Sequence, residues 1–186
     1  MPSQSSPAIL APHLPVTDKL PNGQRQSNSS FPYTEISKKE EMFDPTSRFV
    51  LALGGTPSGT SDKGPPGKRQ FDIQEHELLG FCEFRFDVEE TLSDRLAEVV
   101  YCYELQLKPS VQKQGMAKKL IGILEDIGRL RNMEKIMLTC LKNNDPALSF
   151  YRHQGFEADE IDPTRISEEE PKYDEEVDYV ILSKPL

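Results

Sequence analysis

Three short stretches of this 186-residue chain carry side chains whose types and spacing could do chemistry. The first is Gln112-Lys113-Gln114-Gly115-Met116-Ala117, between a segment of strand character and a long helical pattern. The first amides of a helix have no intrahelical partner and sit at the positive end of its dipole, so a turn that bares them makes a site for anionic oxygen. Gly115 lets the backbone approach such an anion, small Ala117 leaves the way clear, and Lys113, Lys118 and Lys119 add positive charge. Alone, the pattern fits an ordinary strand-to-helix turn equally well. The second stretch is Tyr101-Cys102-Tyr103-Glu104, whose hydroxyls and carboxylate could move protons. Tyr101 and Tyr103 share a strand face, and Glu104 joins them only if a β-bulge intervenes. The other reading is core aromatics at strand spacing. The third is Asp87-Val88-Glu89, where two carboxylates on one strand face could dock a guanidinium or an ammonium. Solvated edge charges are the alternative.

The elements that must position these residues follow from hydrophobic periodicity. Glu77–Glu89 and Ala97–Leu107 are rich in Val, Phe and Tyr and flank a polar turn at Ser93–Arg95, which predicts an antiparallel hairpin. Met116, Leu120, Ile123, Leu124, Ile127 and Leu130 recur at helical spacing, which predicts an amphipathic helix over 116–130 with one face on a sheet. Lys135–Leu141 is expected as a buried strand. Pro146–His153 is expected as a short helix capped by Asn144 or Asp145 and ended by Gly155. A helix over Glu35–Phe43 and strands over Arg48–Leu53 and Val177–Ser183 complete the set. The order predicts an α/β fold, a mixed, mostly antiparallel sheet with helices on both faces.

Composition bounds the rest. At 21.1 kDa, with 36% hydrophobic and 28% charged residues, the chain suits a single domain. Residues 1–34 hold six prolines and six serines without periodicity and are expected to be disordered, leaving 35–186 as the domain. Residues 54–70, with five glycines and three prolines, read as a flexible insertion. Residues 157–178 hold eleven acidic and two basic side chains, so the whole net charge of −9 arises there; the stretch reads as a solvated acidic loop or an attractor for a basic partner. No basic stripe suggests direct nucleic-acid binding, and no apolar run suggests a membrane span. Cys82, Cys102 and Cys140 lie in apolar runs and are expected to be buried thiols, while His13, His76 and His153 show no metal spacing.

In this context, with Asn144 and the Tyr151-Arg-His-Gln-Gly155-Phe156 segment following the glycine turn, the sequence resembles the GNAT acetyltransferases. The resemblance implies the GNAT fold with a splayed central strand pair and acetyl-CoA as co-substrate. The pyrophosphate would lie on Gln112, Lys113, Gln114, Gly115, Met116, Ala117 and Lys118, the pantetheine on Leu105, Gln106 and Leu107, with Asn144 near it. The strings Phe84-Arg-Phe-Asp87-Val88-Glu89 and Tyr101-Cys-Tyr103-Glu104, with Met137-Leu-Thr139 and Tyr179, further resemble the NatD type of N-terminal acetyltransferase. That type modifies core histones beginning Ser-Gly-Arg-Gly, the histone 4 and histone 2A types. It implies histone tails as partners, the ribosome as a further one, a monomer, and a place in cytoplasm and nucleus.

An α-amino group loses its proton near 7.7 to 8.0, against about 10.4 for lysine, so a modest base suffices for a protein N-terminus. Under the resemblance Glu104 is that base, working through a water, with a bulge beside it; Tyr101 is a general acid or water-orienting hydroxyl. Tyr103, Asp87, Val88, Glu89, Thr139 and Tyr179 then form the peptide pocket. Transfer is expected to be direct, without a metal. Another amine substrate, or a CoA-binding paralogue without turnover, are the alternatives.

Overall fold

The computed structural model describes residues 34–55, 76–93, 95–166 and 177–186. The expected disordered segment 1–34 and insertion 54–70 lie almost wholly outside these residues. Thr34 opens helix α1 (Glu35–Met42) with a capping box: Ser37 N donates to Thr34 Oγ1 at 3.1 Å, and Thr34 N to Ser37 Oγ at 2.9 Å. Strand β1 (Arg48–Gly54) follows, then β2 (Glu77–Glu90) and β3 (Leu96–Leu107), the expected hairpin. Helix α2 (Met116–Leu130) and strand β4 (Lys135–Leu141) occupy the predicted residues. Helix α3 (Asp145–His153) is capped by Asn144, whose side chain accepts from Ala147 N at 3.3 Å. Strand β5 (Glu157–Ala158), helix α4 (Pro163–Ile166) and strand β6 (Tyr179–Pro185) complete the chain.

One six-stranded sheet in the order β1-β2-β3-β4-β6-β5 carries the fold. Every pair is antiparallel except β3 and β4, and a parallel pair needs a crossover, which α2 supplies. The α2 stripe Leu120, Ile121 and Leu124 packs on one sheet face with Val100, Cys102, Ile136 and Leu138, joined by Leu148 of α3 and by Phe156. The opposite face holds a second cluster of Ala97, Val99, Tyr101, Tyr103 and Met137, covered in part by Ile161. Leu124 is 0% exposed, so Leu124→Ala should cost about 2 to 5 kcal/mol through lost transfer energy and the cavity left behind. A urea titration should show the midpoint falling with the slope unchanged; an unmoved midpoint would contradict this packing.

The acidic stretch departs from its expected form. Its first part contains β5 and α4, and Asp159 and Asp162 are buried. Each turns its carboxylate onto backbone amides, and Asp159 also onto an ammonium, which offsets the cost of burying charge. Asp162 Oδ1 accepts from Thr164 N at 2.8 Å and Oδ2 from Ile181 N. Asp159 accepts from Ile161 N at 3.1 Å and pairs with Lys135 at 2.7 Å; burial pushes its carboxyl up, but the bonds to Lys135 and Ser183 outweigh this and hold it below its ordinary value. Residues 167–176 lie outside the described residues.

Candidate active site

A break in regular pairing creates the site. In the β2–β3 ladder Phe84 pairs with Cys102 and Glu83 with Glu104, so Tyr103 is an extra residue and β3 bulges there. The bulge reverses side-chain parity. Val100 and Cys102 face α2, Tyr101 and Tyr103 face the other way, and beyond the bulge Leu105 and Leu107 return to the α2 face. Glu104, which strict alternation would have buried against α2, instead joins the tyrosine side.

Next to the bulge the sheet opens. β3 and β4 pair only from Val99 with Lys135 to Cys102 with Leu138, so Tyr103–Leu107 diverges from Thr139–Leu141. A cavity of about 590 Å³ occupies the gap. Its walls include Cys102, Leu105, Leu138 and Cys140 from the α2 face, and Tyr103, Glu104, Gln106 and Thr139 from the other. The cavity is therefore bordered by residues whose side chains belong to both faces of the sheet.

The glycine turn forms the α2 side of this opening. Gly115 is the N-cap of α2 at φ 80°, a left-handed conformation that favours glycine, and no side chain caps the helix. The bared amides of the first turn thus face the cavity wall built by Gly115, Met116, Ala117 and Lys118. A Cβ on Gly115 would meet nothing within 4 Å, so open space adjoins the backbone there. Gln112 Nε2 donates to Leu107 O at 3.1 Å and Gln114 Nε2 to Ser110 O at 2.8 Å, fixing the turn. Uncapped amides, open space beside them and flanking lysines suit the diphosphate of a CoA thioester, and the gap leads from there to Glu104.

Charge on the other face is concentrated around Glu104, which is 2% exposed. Its Oε1 accepts from Gln106 Nε2, and its Oε2 lies 2.8 Å from Lys38 Nζ of α1. Tyr103 donates to Asp87 Oδ2 at 3.2 Å, with the Arg85 guanidinium 4.3 Å from its ring centroid. Tyr101 OH and Thr139 Oγ1 are 2.5 Å apart, bridging β3 and β4 where they part. Burial raises both tyrosines well above the ordinary phenol value, so both keep their protons at neutral pH. Glu89 is half-buried and raised, by burial first and then by Asp87.

Not every candidate meets in one place. Leu105, Gln106, Leu107, Gln112, Lys113, Gly115, Met116, Ala117, Lys118 and Asn144 line the cavity with Tyr103, Glu104 and Thr139. Gln114 does not, because its amide is turned onto Ser110. Tyr101 is also outside the lining, and its hydroxyl reaches the cavity only through Thr139. The raised phenol keeps its proton, and its hydroxyl is shared with Thr139, which lines the cavity. Asp87, Val88, Glu89 and Tyr179 lie beyond the cavity; Asp87 and Glu89 pair with Val99 and Ala97, on the tyrosine face. Sequence reasoning missed Cys102, Leu138, Cys140, Pro146, Ala147, Phe150, Tyr151 and Gln154 as walls, and missed Lys38 beside Glu104. Only the aromatic spacing of α3 could have hinted at the former. Among the described residues no cluster of three or more His, Cys, Asp or Glu is placed to hold a metal ion.

Fold and site together make an architecture suited to acyl transfer, a sheet parted beside an uncapped helix start. The model of the acetyltransferase (GNAT) family matches residues 29–156, more than half of the sequence, and the chain belongs to that family. Among solved structures it is similar to Arabidopsis thaliana NAA60 in complex with a bisubstrate analogue, at 18% identity and TM-score 0.55, covering 83% of this chain and 84% of that one. It is also similar to a chain of the NatC complex bound to Gag peptide and CoA, at 20% identity and TM-score 0.50, covering 86% and 84%. At these identities the likeness is one of fold. The chain spans 54% to 66% of the length of three other solved acetyltransferases, nourseothricin acetyltransferase among them.

Proposed function

We propose that this chain transfers the acetyl group of acetyl-CoA to the N-terminal amine of proteins beginning Ser-Gly-Arg-Gly, as the NatD type of enzyme does with histone 4 and histone 2A. The observation that carries this reading is the opening between β3 and β4, with bared α2 amides at its edge and Glu104 and Tyr103 in its lining, on the sheet face that also carries Asp87 and Glu89. The cofactor's diphosphate would lie on Lys113 to Lys118 and its arm along Leu105 to Leu107. The amine enters from the tyrosine face and gives its proton, through a water, to Glu104. Its nitrogen bonds the thioester carbon, the C–S bond breaks, and the thiolate leaving along the α2 side takes up the proton that the nitrogen sheds as the amide forms. By the same reading the enzyme acts as a monomer in cytoplasm and nucleus, on free histone tails or on chains leaving the ribosome.

Asp87 and Glu89 would read the arginine at the third substrate position, since charge-assisted bonds to a guanidinium contribute about 1.5 to 3 kcal/mol each. Asp87→Asn is expected to raise KM for such peptides tenfold or more with kcat little changed, and replacing the peptide arginine by alanine should do the same without adding to it. Mass spectrometry of a Ser-Gly-Arg-Gly peptide incubated with the protein and acetyl-CoA tests the reaction, and a cycle pairing Asp87→Asn with the arginine-to-alanine peptide tests the contact. A second reading, acetylation of a different N-terminus or a small amine, draws on the commitments Asp87 already has to Tyr103 OH and to Val88 N at 2.9 Å. Full additivity in the cycle would favour it.

A further inference from the structure

Two buried carboxylates stand opposite each other across β2 and β3, an arrangement that electrostatics alone disfavours. Glu83 is the ladder partner of Glu104, and they are 0% and 2% exposed. The titratable and charged groups around Glu104 are Lys38 and Glu41 from α1, Cys82, Glu83 and Arg85 from β2, and Tyr103 from β3. Asp44, in the connection after α1, lies 3.9 Å from Arg85. Arg85 serves the Glu83 side: it lies 3.5 Å from Glu83 Oε1 and donates to Glu41 O at 2.6 Å and Ser47 Oγ at 3.1 Å. Burial nevertheless leaves Glu83 above its ordinary value, despite its bond from Ser47 and the nearby charges of Lys38 and Arg85.

Lys38 serves the Glu104 side. It is 6% exposed, and its ammonium lies 2.8 Å from both Glu104 Oε2 and Glu41 Oε1. A lysine is rarely buried this far without a paired charge, and here it comes from a different element than the carboxylate it meets. We propose that Lys38 is a positioning residue for acetyl transfer: its ammonium, 2.8 Å from Oε2, fixes the orientation of the Glu104 carboxylate at the opening between β3 and β4. Docking of α1 on the sheet thereby sets where the group that takes the proton of the amine is held. This rests on the reading of Glu104 as the base. Lys38 keeps its charge at neutral pH. Burial opposes its charge, but the bonds to Glu104 and Glu41 outweigh burial and hold it above the ordinary lysine value of 10.5, so its part of the pair is complete at neutral pH and fades only above that value.

The test is kcat and KM with acetyl-CoA and a Ser-Gly-Arg-Gly peptide, for the parent, Lys38→Met, Lys38→Arg and Glu104→Gln. Lys38→Met should lower kcat about tenfold with KM for acetyl-CoA unchanged, as expected when a contact that orients the base is lost and none to the cofactor is. Lys38→Arg, which keeps the charge and its donors, should return kcat to near the parental value. If Lys38→Met does not fold, Lys38→Gln, which keeps a donor without the charge, must also lose kcat with KM for acetyl-CoA unchanged. Parental kcat in Lys38→Met, or no recovery in Lys38→Arg, while Glu104→Gln is impaired, would overturn the proposal and leave Glu104 as base. A Glu104→Gln variant as fast as the parent would instead remove the base reading itself.

Discussion

Gly115→Glu should leave no measurable heat of acetyl-CoA binding in calorimetry while the protein stays folded. Two separate effects act in the same direction. The residue sits at φ 80°, where a side chain other than that of Gly, Asn or Asp costs roughly 1 to 2 kcal/mol, and relaxing that strain would turn the first α2 amides away from the cavity. The new carboxylate would also project into the open space beside the turn, placing like charge where a diphosphate must lie. Gly115→Asn separates these effects, because asparagine tolerates the left-handed region and adds no charge. It should retain binding at reduced affinity. Unchanged affinity in Gly115→Glu would show that the anion lies elsewhere and would dissolve the cofactor assignment.

How much of this could be read in the sequence depends on whether a feature is local. The α2 pattern is a property of fifteen consecutive residues, and the helix occupies those residues. The glycine turn is equally local, since its chemistry follows from one left-handed position before a helix. The orientation of Glu104 is not local. It depends on Tyr103 being left out of the ladder, a matter of register between β2 and β3, and alternation alone would have sent the carboxylate into the α2 core. Lys38 was still less visible. In a segment reading EISKKEEM nothing marks one lysine of two as the buried partner of a residue 66 positions later, because the selection is made by how α1 docks. Asp159 and Asp162 misled for the converse reason: composition counts their charge and cannot see that the amides of Ile161, Thr164 and Ile181 and the ammonium of Lys135 satisfy it.

Glu104→Gln should lower kcat by two to four orders of magnitude with acetyl-CoA affinity preserved, the range expected when a positioned base is lost at nearly constant volume. The sign of the pH dependence follows from the amine. Below about 7.7 to 8.0 the α-amino group is mostly protonated and a base must take its proton; above that range the amine is already neutral, so the deficit should shrink as pH rises. The substitution also leaves the Lys38 ammonium, 7% exposed in its side chain, without the charge of Glu104, and breaking one side of a buried pair costs about 3 to 5 kcal/mol. Glu41, still 2.8 Å from Lys38 Nζ, should hold the loss toward the lower end. Stability and catalysis can then be separated with the double variant Glu104→Gln, Lys38→Met, which removes both charges together. It should melt at a higher temperature than Glu104→Gln alone and turn over no faster. Recovery of rate along with stability would mean that the single variant was slow because its site had loosened, and Glu104 would then hold the opening in shape without taking a proton.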